Sequence, residues 1–239
     1  THKLLAAFSQ ASMIHVRNAA TRELDAERFN EAFMMHTTTS PHYGVIAACD
    51  VASKMMEGPA GESLVQEMHD EAIAFRRAML HVREDLGRDD WWFNVWQPDK
   101  LERSLAKGDA PAPMVARREE WYLQPEAYWH GFDGLVEDYV LIDPIKVTLL
   151  TPGLSISGEV AEHGIPAAVL SKFLWTRGIT VEKTNLYSVL FLFSMGITKG
   201  KWSTLVTELM AFKELYDQNA PLSRAFPDLA ADYGAIYAG

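Results

Sequence analysis

A single cysteine among 239 residues, Cys49, excludes an internal disulfide and any zinc site built on cysteines. A reducing, cytoplasmic setting fits that scarcity best, and Cys49, set among small apolar neighbours, reads as a buried filler. No apolar run approaches the roughly 18 residues that cross a bilayer. The first residues hold no basic segment leading into an apolar one, so no secretory signal is expected. Residue 1 is Thr, and the true start is expected upstream. Blocks of positive charge are also missing. Lys and Arg number 22 against 32 Asp and Glu, and the net charge of −10 argues against nucleic acid as a partner. The same acidic balance suits a cationic substrate, and equally any soluble cytoplasmic protein. No internal repeat and no low-complexity segment is visible.

What remains, 48% apolar and 23% charged residues, is the composition of a soluble globular protein with length for one large or two modest domains. Ser12 to Val16 alternates as a short strand does, and Arg17 to Thr21 is turn-like. Asp25 to Met35 reads as a helix with Phe29, Ala32, Phe33 and His36 on one face. Ser40 then suits an N-cap and Pro41 the first position of a helix that runs through the apolar stretch Val45 to Met56. Hydroxyls at a helix N-terminus make a natural phosphate site, although the same residues also describe a simple capped helix. The glycines and proline of Glu57 to Gly61 end it. Glu62 to Leu86 follows as a long amphipathic helix, with Leu64, Met68, Ala72, Phe75, Met79 and Val82 at helical spacing and its charges on a solvated face. A domain boundary is expected near Gly87 to Asp90.

Beyond that boundary, Trp91 to Pro98 reads as a packed aromatic strand and residues 99–120 as an exposed loop insertion. His130, in an aromatic run, reads as a hydrogen-bonded core residue. From Leu141 the pattern is regular: a strand over Ile145 to Leu150, a helix from Ile165 to Arg177 closed by Gly178, a hairpin of Ile179 to Lys183 with Val189 to Phe193, and a helix over Lys201 to Asp217. That order describes a small α/β domain with its sheet covered on one face. Glu182 lies in this apolar hairpin. Its carboxylate either points to solvent or reaches into a site to meet the distal charge of a cationic substrate, a bond worth roughly 1.5–3 kcal/mol.

The opening Thr1-His2-Lys3, followed by the uncharged Leu4-Leu5-Ala6-Ala7-Phe8, offers different chemistry. Desolvation lowers an amine's pKa toward the range of a nucleophile, which a carbonyl-binding lysine needs, yet most lysines are solvated. The stretch resembles the cofactor-lysine segment of the bacterial ornithine/lysine/arginine decarboxylases, whose Ser-x-His-Lys run ends in the lysine that holds pyridoxal phosphate. His2-Lys3 match its last two positions, and the serine would lie just before Thr1. Thr38-Thr39-Ser40-Pro41, Trp129-His130-Gly131-Phe132, Asp143-Pro144-Ile145-Lys146-Val147 and Thr151-Pro152-Gly153 resemble the same family in the same order.

The resemblance implies an α/β fragment of a longer chain. Residues 1–88 would be the C-terminal part of a fold-type-I (aspartate-aminotransferase-like) cofactor-binding large domain, and 89–239 a small α/β domain with the insertion 99–120. It implies that Lys3 and His2 are catalytic and cofactor-binding, that Thr38 and Ser40 hold the cofactor phosphate partly across a dimer interface, and that Glu182 binds substrate, with no metal. The groups facing the cofactor ring would lie upstream of Thr1. The activity implied is conversion of L-lysine to cadaverine and CO₂ in the cytoplasm, within polyamine metabolism and acid stress, by a homodimer or larger assembly without nucleic acid or membrane. Glu182-Lys183-Thr184 resembles the lysine and ornithine branches, whereas Phe191 to Trp202 is more similar to the arginine branch. Glu182 decides for lysine, with arginine or ornithine decarboxylation, a transaminase, or a non-catalytic regulatory or dimerisation relative as alternatives.

Overall fold

The computed structural model describes residues 7–8, 14–18, 20–21, 23–87, 90–98 and 121–237. Contacts gather the chain into two compact units, Thr1–Gln66 and Glu67–Gly239, a division that falls inside a helix. In the first unit, α1 (Ala26–His36) starts where the Asp25 carboxylate accepts the amides of Glu27 and Arg28 at 3.0 and 3.2 Å. None of its residues is buried, and Met35 is 81% exposed. α2 (Tyr43–Met55) buries Ala52, while Cys49 is half-buried rather than enclosed. α3 (Gly58–Leu86) starts at Gly58, not Glu62. The break from α2 is confined to Met56 and Glu57, because Gly58 turns at φ 63° and a Cβ on Gly61 would lie 2.3 Å from the Met56 carbonyl. The strand expected at Ser12 to Val16 is not formed over its described part. Ile14 and Val16 are exposed and irregular, since alternation makes a strand only where a neighbour completes the ladder.

The second unit is built on an antiparallel sheet of order β1-β2-β4-β3: β1 (Asn94–Val95), β2 (Lys146–Leu150), β3 (Lys183–Thr184) and β4 (Ser188–Leu192). Val147 and Leu149 of β2 and Val189 and Phe191 of β4 are buried. Phe75 of α3 covers this core, its ring centroid 6.5, 5.4 and 6.2 Å from those of Phe191, Phe193 and Trp202. α4 (Ala167–Thr176) and α5 (Lys199–Asp217) meet through Phe173 and Phe212, 5.0 Å apart. Two short helices follow, α6 (Leu222–Ala225) and α7 (Pro227–Tyr237). Two expected strands shrink. Of the Trp91 to Pro98 run, Asn94–Val95 form the strand and Trp96 N–H adds one bond to the Thr148 carbonyl at 2.9 Å, while Trp92 and Phe93 are buried by ring packing. The first arm of the hairpin is a strand only over Lys183–Thr184, with single backbone bonds to β4 from Glu182 and Asn185 on either side.

Two charged side chains, Arg76 and Lys213, are buried. Arg76, assigned to the solvated face of α3, is fully buried. Its guanidinium donates to the Pro144 carbonyl (3.0 and 3.3 Å), the Lys146 carbonyl (3.2 Å) and Gln97 Oε1 (3.2 Å), and stacks over Trp121 at 5.2 Å. Desolvation pushes its pKa down to about 9, against the raising field of Asp143, so it stays charged at neutral pH. Spacing contained a hint: Arg76 follows Ala72 by one helical step and precedes Leu80 by another, inside the apolar stripe.

Lys213 of α5 is buried with its amine 3.0 Å from Asp90 and 2.5 Å from Asp217. Burial alone would lower its pKa, but hydrogen bonds and charge from Asp217 and Asp90 outweigh it and raise the value. A raised lysine stabilises fully below its unfolded pKa, and that contribution is lost as pH rises through the folded value. Lys213→Met is therefore expected to lower the unfolding free energy of the full-length protein by about 1–2 kcal/mol at pH 8, moderated because both carboxylates are partly solvated. Denaturant midpoints should show this deficit closing as pH rises through the raised folded value, above the ordinary lysine range.

Candidate functional site

The loop between α1 and α2 carries the hydroxyls expected to take a phosphate. α1 stops at Thr37, whose backbone is extended (φ −101°, ψ 159°). Thr38 Oγ1 then accepts the Ser40 amide at 3.2 Å, folding the loop on itself. This local bond displaces the expected cap. The N-cap of α2 is His42, not Ser40, and the helix begins at Tyr43, not Pro41. The shift has a chemical consequence. His42 makes no side-chain cap bond and the first turn has no acidic residue, so the leading amides of α2 carry no competing side chain. Thr38 and Ser40 are linked by this bond, exposed, and precede that helix end by a few residues in the chain. Exposed hydroxyls beside uncapped amides fit the oxygens of a phosphate.

Glu182 sits in the second unit, just before β3. Its amide donates to the Leu190 carbonyl at 2.8 Å, so its backbone belongs to the hairpin although it precedes the paired strand. It is half-buried, and its side of the hairpin is engaged in further contacts. The hairpin tip is fixed on both flanks: Thr151 N–H donates to the Tyr187 carbonyl at 3.0 Å and Ala167 N–H to that of Leu186 at 2.8 Å. His2 and Lys3 lie outside the described residues.

His130 behaves as its aromatic setting suggested. The Phe132 amide donates to Nδ1 at 3.0 Å, which leaves Nε2–H to donate to the Gln124 carbonyl at 2.9 Å. Both ring nitrogens serve the fold. A cleft of about 1100 Å³ opens between Arg83 to Asn94 and the loop Pro152 to Ala161, and Glu182 does not line it. Among the described residues no group of three or more His, Cys, Asp or Glu could hold a metal ion, and no helix is long and apolar enough to cross a membrane. The loop hydroxyls were legible as a motif. Arg76, which positions the Asp143 to Lys146 segment, was not, because helix patterning assigns charges outward by default.

Residues 1–201 match the family model described as "Orn/Lys/Arg decarboxylase, major domain". The chain is 62% identical over 239 residues to lysine decarboxylase LdcA of Pseudomonas aeruginosa, covering all of this chain and 31% of that protein. It is 47% identical over 229 residues to a lysine decarboxylase of Hafnia alvei, covering 96% of this chain and 28% of that one. The solved structure of lysine decarboxylase A from Pseudomonas aeruginosa superposes with a TM-score of 0.83 at 62% identity, over 99% of this chain and 30% of the other. The chain thus spans about a third of the length of the curated relatives it matches.

Proposed function

Because the chain belongs to the Orn/Lys/Arg decarboxylase family, we propose that the protein carrying it converts L-lysine to cadaverine and CO₂ with pyridoxal phosphate as cofactor. The observation that carries this reading is the loop at Thr38 and Ser40, folded on itself by the Ser40 amide and exposed, directly before a helix start without a side-chain cap, a combination that suits the cofactor's phosphate. Bound pyridoxal phosphate supplies an electron sink for the pair left behind when CO₂ departs.

This chain's residues do the rest. Lys3 would hold the cofactor covalently, and Lys3 or His2 would return a proton to the substrate's Cα, so that one proton replaces the lost carboxylate. Glu182 takes the distal ammonium and thereby fixes which end of the substrate meets the reacting centre. In the longer protein, residues 1–88 complete a cofactor-binding domain and 89–239 form the small domain that presents Glu182. We place the enzyme in the cytoplasm as a homodimer or a larger assembly. The second reading, arginine as substrate, draws on the Phe191 to Trp202 segment, which is more similar to that branch.

Two tests follow. With pyridoxal phosphate added to the full-length protein, a visible absorption band and CO₂ release chiefly from lysine, among lysine, ornithine and arginine, is expected. Arginine preferred would overturn the substrate, and no band would overturn the enzyme. Glu182→Gln should raise KM for lysine by about 10- to 100-fold, the loss of one charge-assisted bond, while leaving the thermal midpoint near wild type. Unchanged kinetics would end the substrate-binding role of Glu182.

A further inference from the structure

Around the Arg76 guanidinium the structure gathers more buried N–H donors than acceptors. Arg76 is fully buried, and its bonds go to neutral oxygens: the Pro144 carbonyl twice, the Lys146 carbonyl and Gln97 Oε1. Those bonds use all but one of the N–H groups that a guanidinium carries, and the last lies on Nη1, the nitrogen that meets Gln97. Gln97 is 1% exposed and Trp121 2% exposed. Gln97 Nε2 and Trp121 Nε1 are both buried with no hydrogen-bond partner among the described residues.

These groups form one cluster. Nε2 sits on the same planar amide as the Oε1 that Arg76 reaches at 3.2 Å, and the guanidinium stands 5.2 Å from the centre of the Trp121 ring. A buried donor without an acceptor is unfavourable, and a buried cation more so unless an anion pairs with it. Among the described residues, none of the bonds that Arg76 makes ends on a carboxylate. Asp143 acts on it only through its field, which does not offset burial. That carboxylate accepts the Ile145 amide at 3.3 Å, lies 3.5 Å from Lys146 Nζ and is 34% exposed, so its charge is shared with Lys146 and solvent.

We propose that this cluster is a binding site for a small monovalent anion of the halide class, chloride in ordinary buffers, which accepts from Gln97 Nε2 and Trp121 Nε1 in the field of Arg76. A halide suits it because a small sphere takes N–H bonds from any direction and leaves its hydration shell more readily than a phosphate does. A water molecule would accept from the same donors but leave the guanidinium unbalanced. Through Arg76, the bound ion fastens Pro144 and Lys146, the residues from which β2 runs. The site does not depend on the substrate or the cofactor.

The test uses the full-length protein. Its thermal midpoint is followed as chloride replaces gluconate at constant ionic strength, and crystals grown with bromide in place of chloride are measured for anomalous scattering. The midpoint is expected to rise by about 2–4 °C at saturation. An anomalous peak is expected within hydrogen-bond reach of Gln97 Nε2 and Trp121 Nε1. Trp121→Phe keeps a ring and removes the N–H, so about tenfold more chloride should be needed for the same response. Gln97→Glu places a carboxylate in the cluster and should abolish the response, with a midpoint in gluconate no lower than that of wild type. A midpoint that ignores chloride overturns the proposal, and so does a bromide map without a peak at the cluster. A peak there without a midpoint response marks an adventitious ion only and overturns it equally. A wild-type chloride response in either variant would place the ion elsewhere on the protein and overturn it too. Should Gln97→Glu fail to fold, Trp121→Phe and the bromide map decide.

Discussion

Lys3→Ala in the full-length protein is expected to abolish the visible band and to lower CO₂ release from lysine by about a thousandfold or more, because covalent attachment and proton return are lost together. Alanine is uncharged and compact, so it removes the amine without adding bulk. The comparison that decides the point is Lys3→Arg, which keeps the positive charge but cannot form the covalent link. If the lysine only neutralised the cofactor phosphate, arginine would retain much of the activity. If it holds the cofactor covalently, both variants fail alike. Absorption of the dialysed protein and initial rates of CO₂ release measure the two losses separately. A Lys3→Ala protein that kept its band after dialysis would move the cofactor lysine elsewhere in the chain.

Arg76→Met is expected to have the largest effect on folding. The variant takes the donor from the buried Gln97 side-chain oxygen and from the partly buried carbonyls of Pro144 and Lys146, at about 1–3 kcal/mol for a fully buried acceptor and less for the carbonyls. Against this stands the relief of a buried charge, which burial has already pushed down to about 9. Removing one member of a buried, hydrogen-bonded charge network is destabilising on balance, and a net loss of about 3–5 kcal/mol is expected. Its pH dependence is opposite in sign to that of Lys213. Where a base is lowered on folding, the folded state gives up its proton first as pH rises, so stability from that group grows between about pH 9 and its unfolded value. The deficit of Arg76→Met should widen over that range while that of Lys213→Met closes. Denaturant unfolding at matched pH compares the two, and a flat Arg76→Met deficit would mean that the guanidinium keeps its proton throughout.

Periodic spacing carried the long helices well. Met68, Ala72, Phe75 and Met79 are buried as their positions required, and the strand at Ile145 to Leu150 forms with its first residue outside the ladder. The failures share a cause: a tertiary or local bond outside the pattern decided the outcome. Trp91 to Pro98 has the residues of a strand, but its rings find partners on α5, as in the Phe93–Phe212 contact, and strand pairing begins only at Asn94 and ends with the Trp96 bond to Thr148. Ser40 and Pro41 have the look of a helix start, and the Thr38 hydroxyl takes the Ser40 amide first. Arg76 is buried because carbonyls distant in sequence supply acceptors that no helical wheel contains. In the candidate site the hydroxyl cluster at Thr38 to Ser40 was legible, whereas the His42 cap that follows it was not.

Arg76 also bears on how far this architecture can vary in length. Gln97, which accepts one of its hydrogen bonds, and Trp121, on which it stacks, stand at the two ends of the stretch 98–120. A single side chain thus brings both mouths of that stretch together and isolates the sheet from whatever length lies between them. Closing a longer loop across a fixed gap costs only about 0.6 kcal/mol per doubling. Related chains can therefore gain or lose residues between Gln97 and Trp121 while β1, β2 and the hairpin that carries Glu182 keep their register.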